Sequence, residues 1–352
     1  MQRVILLLPF LLCAFVSDAT GSSRSSEIAS ATANSAPIAF LRGTRALEVV
    51  DADGRNRRTV VRLRPGFRVV GFWWDPSGRR IAFEATTPLG KERLYVIGAN
   101  GRGLRRLAQW EDYASVVAWS PRGRKILFDK HNDGAHQFWV VNADGTGARK
   151  LTPISWFDGA AWSLDGRRIA FYGRAGKRQV TGIHMMSANG RYRRLIIRGG
   201  GTPVWSPANK IAFYSGRDLW IANPDGSGRR LAIKADETTW PPSEVDFSPD
   251  GRRVAFTRIF AVGNGELMIG DVVTGGVQRL TTNTIQEWGP SWSPDGKSLA
   301  FARYRPGREE DEPNDIYVMN ADGSGERNLT NSAADEYSPA WRRAELRGRG
   351  LK

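Results

Sequence analysis

A triplet of the type Ile-Ala-Phe recurs along the chain, beginning at Ile38, Ile81, Ile126, Ile169, Ile211, Val254 and Leu299, at steps of 43, 45, 43, 42, 43 and 45 residues. Six or seven residues ahead of every triplet but the first stands an aromatic: Trp74, Trp119, Trp162, Trp205, Phe247 and Trp292. A turn such as Ser293-Pro294-Asp295-Gly296 separates aromatic from triplet. A second apolar run follows each triplet and ends in a glycine turn, as in Phe138-Trp139-Val140-Val141 before Asn142-Ala143-Asp144-Gly145. A short fourth run comes next, as at 149–152. A unit of four short strands cannot bury its apolar face alone, so the units must stack. At this period the stack is a β-propeller.

The two ends of the chain fix the number of blades. The first unit lacks an aromatic strand ahead of its triplet, and the chain finishes with Tyr337-Ser338-Pro339-Ala340-Trp341, an aromatic strand with no triplet after it. Joined, they make a seventh blade from one C-terminal and three N-terminal strands, which also pairs edges that would otherwise template aggregation. The predicted fold is therefore all-β, a seven-bladed propeller of four-stranded antiparallel blades. Six blades with irregular ends is the alternative. The Asp and Gly residues of the turns read as turn chemistry, because Asp braces a tight turn through its own carboxylate and Gly accepts positive φ.

These residues, above all Trp-Ser-Pro-Asp-Gly-Lys at 292–297 and Tyr-Val-Met-Asn-Ala-Asp-Gly-Ser-Gly at 317–325, resemble the TolB-type, WD-repeat-like propeller family. The resemblance runs from Pro37 to Trp341. It implies an exported bacterial propeller, periplasmic or secreted, acting as a binding scaffold. The family's namesake carries an α/β domain ahead of six blades, whereas here a serine-rich leader precedes seven, so the likeness is to the propeller and not to the whole namesake.

The N-terminus reads as an export signal over residues 1–19. Arg3 supplies the positive region, residues 4–16 form an apolar run of 13, and Ser17-Asp18-Ala19 offers small residues for cleavage. Thirteen residues are too few to span a bilayer as a helix. Cleavage would remove Cys13, the single cysteine, which leaves no thiol to mispair in an oxidising compartment. Residues 20–36 read as a flexible Ser/Ala-rich leader, 37–346 as the propeller and 347–352 as a basic tail. The mature chain is expected to be an exported monomer, periplasmic or extracellular, without a transmembrane span.

Antiparallel strands place the first-to-second and third-to-fourth turns at one end of every blade, and the other connections at the opposite end. The first end is basic by repetition, with Arg79-Arg80, Arg167-Arg168 and Arg252-Arg253 after one turn and Arg57-Arg58, Arg105-Arg106 and Arg229-Arg230 after the other. Much of the net charge of +15 sits there. Such a field suits an anionic envelope polymer; export argues against nucleic acid. The opposite end differs. Trp110, Asp112 and Tyr113, then Trp156 and Asp158, then Trp240, then Glu287 and Trp288, then Asp335, Glu336 and Tyr337 combine acids with aromatics just before the innermost strands. These eleven residues are the candidate ligand-binding set, suited to a protein or peptide through stacking and charge, or to carbohydrate through ring faces.

Motifs for chemistry are sparse. No Gly-x-Ser-x-Gly elbow, phosphate loop or His-Glu-x-x-His stretch occurs. His131, His136 and His184 read as surface histidines and, with Asp133, not as a metal site, so neither cofactor nor metal is expected. The leading expectation is a non-enzymatic scaffold that binds a protein or peptide at the aromatic-acidic mouth. Carbohydrate binding or cleavage at the same rim and polymer binding through the basic end are the alternatives.

Overall fold

Each Ile-Ala-Phe triplet forms the second strand of a four-stranded antiparallel sheet, and seven such sheets make the protein. The computed structural model describes residues 36–342 apart from 108–112, 133–134, 155, 176–179, 236–242, 262–263 and 305–312. The export signal, most of the leader and the basic tail lie outside the described residues. Among those described, no helix is long and apolar enough to cross a membrane.

We number the blades 1 to 7 along the chain and letter their strands a to d outward. Blade 1 is the closure blade: strand a is Glu336–Trp341, b is Ile38–Arg42, c is Ala46–Val50 and d is Arg58–Arg62, hydrogen-bonded in that order. C-terminal and N-terminal strands pair directly, Trp341 opposite Ile38 and Glu336 opposite Arg42. Blade 1 is thus completed from both ends, which brings the count to seven as the repeat predicts. Strands a of successive blades lie against one another around the channel, while strands d, such as Val277–Arg279 and Arg327–Asn328, are exposed at the rim.

The triplets are apolar on consecutive positions because both sheet faces are buried against neighbours. Ile38, Ala39 and Phe40 are all fully buried, as are Ile81, Ala82 and Phe83. Seven apolar clusters result, each joining side chains of two successive blades. Each buried Phe contributes roughly 1.5–3 kcal/mol relative to exposure. In blades 2, 3, 4 and 7 the triplet Phe also stacks on the ring opposite it in strand c, as Phe83 does on Tyr95 at 5.1 Å. The repeated aromatics of strands a add polar staples. Trp74 donates its indole N–H to the Ala340 carbonyl at 3.0 Å, Trp119 to Trp73 at 3.0 Å and Trp292 to Asp246 at 3.1 Å, each in the preceding blade.

The paired arginines of the basic end belong to the same stapling. Arg80 lies over the Trp119 ring and donates to the Gly123 carbonyl at 2.6 Å; Arg253 lies over Trp292 and donates to Gly296 at 3.0 Å. Arg168 lies over Trp205 in the same way. Strand d sends a second set across several interfaces, Arg105 to the Asp144 carbonyl at 2.7 Å, Arg230 to Val272 at 2.7 Å and Arg58 to Ala99 at 3.1 Å. Arg327 closes the circle by donating to Ala52 of blade 1. Much of the repeated positive charge therefore clamps one blade to the next.

Candidate functional site

Strand a of nearly every blade carries a β-bulge a few residues before its anchor aromatic, seen as register shifts at Val69/Gly71, Val116/Ala118, Phe157/Ala160, Ser243/Asp246 and Trp288/Ser291. In blade 1 the bulge falls opposite Ala39/Leu41. Positive φ accompanies it at Gly159 (87°), Gly289 (63°) and Ser338 (54°). An extra residue reverses the in-out parity of everything before it. Glu336 stands five residues before Trp341, an odd offset that would put the two on opposite faces of an unbroken strand. The bulge returns them to one face, because their partners Arg42 and Ile38 are four apart on strand b. Glu287 and Trp292 of blade 7 are related in the same way through Arg303 and Leu299.

Glu287 and Glu336 are consequently turned into the blade interfaces, each 0% exposed. Arg303 lies over the Phe301 and Tyr317 rings, holds Glu287 from Nε at 2.7 Å, and pairs with Glu326 on its other side. Arg57 lies over Phe40 and joins Glu336 to Glu48, its Nε 2.9 Å from the Glu48 carboxylate. A polar group four residues earlier adds a donor to the same oxygen of each acid: Asn283 donates to Glu287 Oε1 at 2.8 Å and Ser332 to Glu336 Oε1 at 2.7 Å. These two acids were expected to face a ligand. The bulge commits them to Arg303 and Arg57 below the mouth instead.

The neighbouring aromatics and Asp335 lie closer to solvent. Trp288 is half-buried, packed at the interface of blades 7 and 1, with its ring edge-on to Tyr304 at 4.6 Å. Tyr337 is half-buried at the next interface and donates to the Gly43 carbonyl at 3.2 Å. Burial and the adjacent Asp335 charge push its phenol up, against the opposing effect of Arg68. Asp335 is exposed, and its carboxylate accepts from the Asn314 backbone at 3.0 Å and side chain at 2.7 Å. Among the candidate residues whose side chains are described, these three are at least partly exposed. Tyr113 begins strand a of blade 3 (Tyr113–Trp119), and Trp156 and Asp158 lie in that of blade 4 (Trp156–Trp162); their side chains are outside the described set. Trp110, Asp112 and Trp240 lie outside the described residues altogether.

Blades 2 and 3 add a polar group that the sequence reading passed over. The Ser115 hydroxyl, on strand a of blade 3, lies 3.2 Å from both Glu84 and Glu92 of blade 2. Burial, and then the Glu92 charge, push the Glu84 carboxyl up to about 8. Asp129 follows, held to His136 Nδ1 at 2.7 Å. The signal was present: Glu84 and Asp129 immediately follow their triplets, where other copies carry Leu41, Tyr172, Tyr214, Thr257 or Ala302. Of the other histidines, His184 stacks on Phe171 and bonds the Val180 carbonyl at 3.0 Å. Among the described residues no group of three or more His, Cys, Asp or Glu side chains gathers as a metal site would.

The model of the TolB beta propeller domain matches residues 30–219 and 215–345. The chain belongs to this propeller family. It is 38% identical over 104 residues to the Tol-Pal system protein TolB of Gluconobacter oxydans, a match covering 28% of this chain and 23% of that one. It is 26% identical over 243 residues to the uncharacterized peptidase YuxL of Bacillus subtilis, covering 61% and 34%. Among solved structures a prolyl endopeptidase superposes with a TM-score of 0.64 at 10% identity, covering 86% of this chain and 50% of its own. Both curated relatives are thus matched over about a third of their length or less, and the structural likeness shows the fold alone.

Proposed function

We propose that this protein is an exported β-propeller scaffold, without catalysis of its own, that binds a protein or peptide segment at the channel mouth. The observation that carries the reading is that, where strands a of blades 7 and 1 begin, Trp288 and Tyr337 are half-buried and Asp335 is exposed. Aromatic faces beside a carboxylate favour a segment bearing a cationic or ring side chain. Because Arg303 and Arg57 lock the strands beneath, little ordering is left to oppose binding. Likeness to a TolB of the Tol-Pal system supports a binding role. The peptidase relative and the endopeptidase share about a third to a half of their length with this chain, and the sequence here lacks the Gly-x-Ser-x-Gly elbow. The N-terminal signal pattern supports export.

A displayed library of random 12-residue peptides tests the reading. Selected peptides should bind the wild type and lose tenfold or more in affinity with Trp288→Ala or Asp335→Asn, variants first checked for an unchanged thermal melt. Undiminished affinity in both would overturn the mouth assignment. Turnover of a peptide or oligosaccharide panel would overturn the non-catalytic part.

A further inference from the structure

Six of the seven c–d turns share one backbone pattern at the basic end, with a left-handed residue near their close. Four place glycine there: Gly103 (φ 70°), Gly147 (62°), Gly228 (58°) and Gly325 (64°). Blade 1 uses Asn56 (53°), a residue that tolerates this region. Blade 4 alone uses a bulky residue, Tyr192, at 55°, where such a side chain is an outlier.

The local sequence makes room for it. In blades 3, 5 and 7 a β-carbon added at Gly147, Gly228 or Gly325 would stand 2.8, 2.8 and 2.7 Å from the amide of Asn142, Asn223 or Asn320, which opens the same turn. Blade 4 opens its turn with Ser187, whose hydroxyl is occupied by Asn189 at 2.5 Å and the Arg191 carbonyl at 2.8 Å. The Tyr192 ring returns nothing to the fold by burial, being 84% exposed. A strained, bulky and solvent-facing residue on an otherwise idealised turn points to use outside the chain.

The surroundings define the chemistry. Arg191, Arg193 and Arg194 stand on either side of Tyr192 in sequence and are exposed, and Arg149 of blade 3 reaches the same turn, 3.4 Å from the Asn189 carbonyl. The partner is anionic. A folded protein would require an apolar patch around the anchor, and the residues next to Tyr192 on this turn are exposed arginines. Single-stranded nucleic acid calls for successive stacking rings along a groove, and Tyr192 is one ring on a convex turn. One ring face among guanidinium groups suits one sugar ring with neighbouring carboxylates. We propose that Tyr192 and its flanking arginines form a docking point for an acidic polysaccharide on the rim of blade 4. This end is opposite the channel mouth, so its failure would leave the mouth reading standing.

Alginate oligosaccharides immobilised by one end test this, with dextran, poly-L-glutamate and a single-stranded oligonucleotide as parallel probes. The wild type should retain alginate over all three. Tyr192→Phe should keep binding, whereas Tyr192→Gly should lose tenfold or more with a melting temperature no lower than wild type. Replacing Arg191 and Arg193 by Ala should flatten the salt dependence. The proposal is overturned if alginate does not bind, if Tyr192→Gly binds it equally, or if poly-L-glutamate or the oligonucleotide binds as tightly.

Discussion

Behind the a–b turns of blades 2, 3, 4 and 6 the chain repeats a pair of basic residues, and in blades 2, 4 and 6 the second of them crosses to the next blade. Arg80 reaches Gly123 and covers Trp119; Arg253 reaches Gly296 and covers Trp292. A charged hydrogen bond and a cation–π contact are lost together on truncation, so Arg253→Ala should cost about 1–2 kcal/mol in urea unfolding. Arg252→Ala, one residue earlier and exposed, should stay within about 0.5 kcal/mol. Composition and spacing revealed the pairs but not this division, because a repeat shows residue type and not which neighbouring blade a long side chain meets. The turn of blade 4 offers a second test at this scale. Ser187→Asn should destabilise the wild type by about 1 kcal/mol through collision with the Tyr192 β-carbon, and be neutral or stabilising alongside Tyr192→Gly. Additive effects in that cycle would refute the idea that Ser187 accommodates Tyr192.

Strand boundaries, turn types and the anchor aromatics were legible because each blade restates them. The bulge in strand a was not. It changes parity without changing composition, so acids that read as channel-facing, Glu287 and Glu336, turn into the interfaces and meet Arg303 and Arg57. Arg303, on strand b of blade 7, is buried between Glu287 of strand a and Tyr317 of strand c. Removing Glu336 takes from Arg57 one of its two carboxylates and leaves it Glu48, so Glu336→Ala should cost about 1–3 kcal/mol. The Glu84–Glu92–Ser115 group between blades 2 and 3 carries a pH signature. The unfolded chain releases the Glu84 proton near the ordinary carboxyl value, while the folded chain keeps it to about 8. The stability from this proton is therefore whole in acid, falls as pH rises, and is lost above about 8. Glu84→Gln should match the wild type near pH 5 and exceed it increasingly toward pH 9 in urea midpoint. A gap that does not change with pH would refute the raised carboxyl.

At the scale of the ring, the two ends differ in what their side chains do. The basic end is occupied by clamps in blade after blade, with Tyr192 as its departure; the mouth keeps exposed Asp335 and half-buried rings above locked ion pairs. Closure depends on strand a of blade 1, pairing Trp341 with Ile38. A chain ending at Asn331 loses that strand and opens a long edge. It should elute as oligomer or aggregate in light-scattering chromatography, whereas the full chain should not. Seven copies in register made this architecture readable without a structure. The ligand set was less so, since it rests on residues that do not repeat. Hydrogen–deuterium exchange of the protein with and without a selected peptide tests the central claim most directly. Binding at the mouth predicts new protection over Glu287–Trp292 and Glu336–Trp341, with the a–b and c–d turns unchanged. Protection confined to those basic turns, with strands a of blades 7 and 1 unaffected, would contradict it.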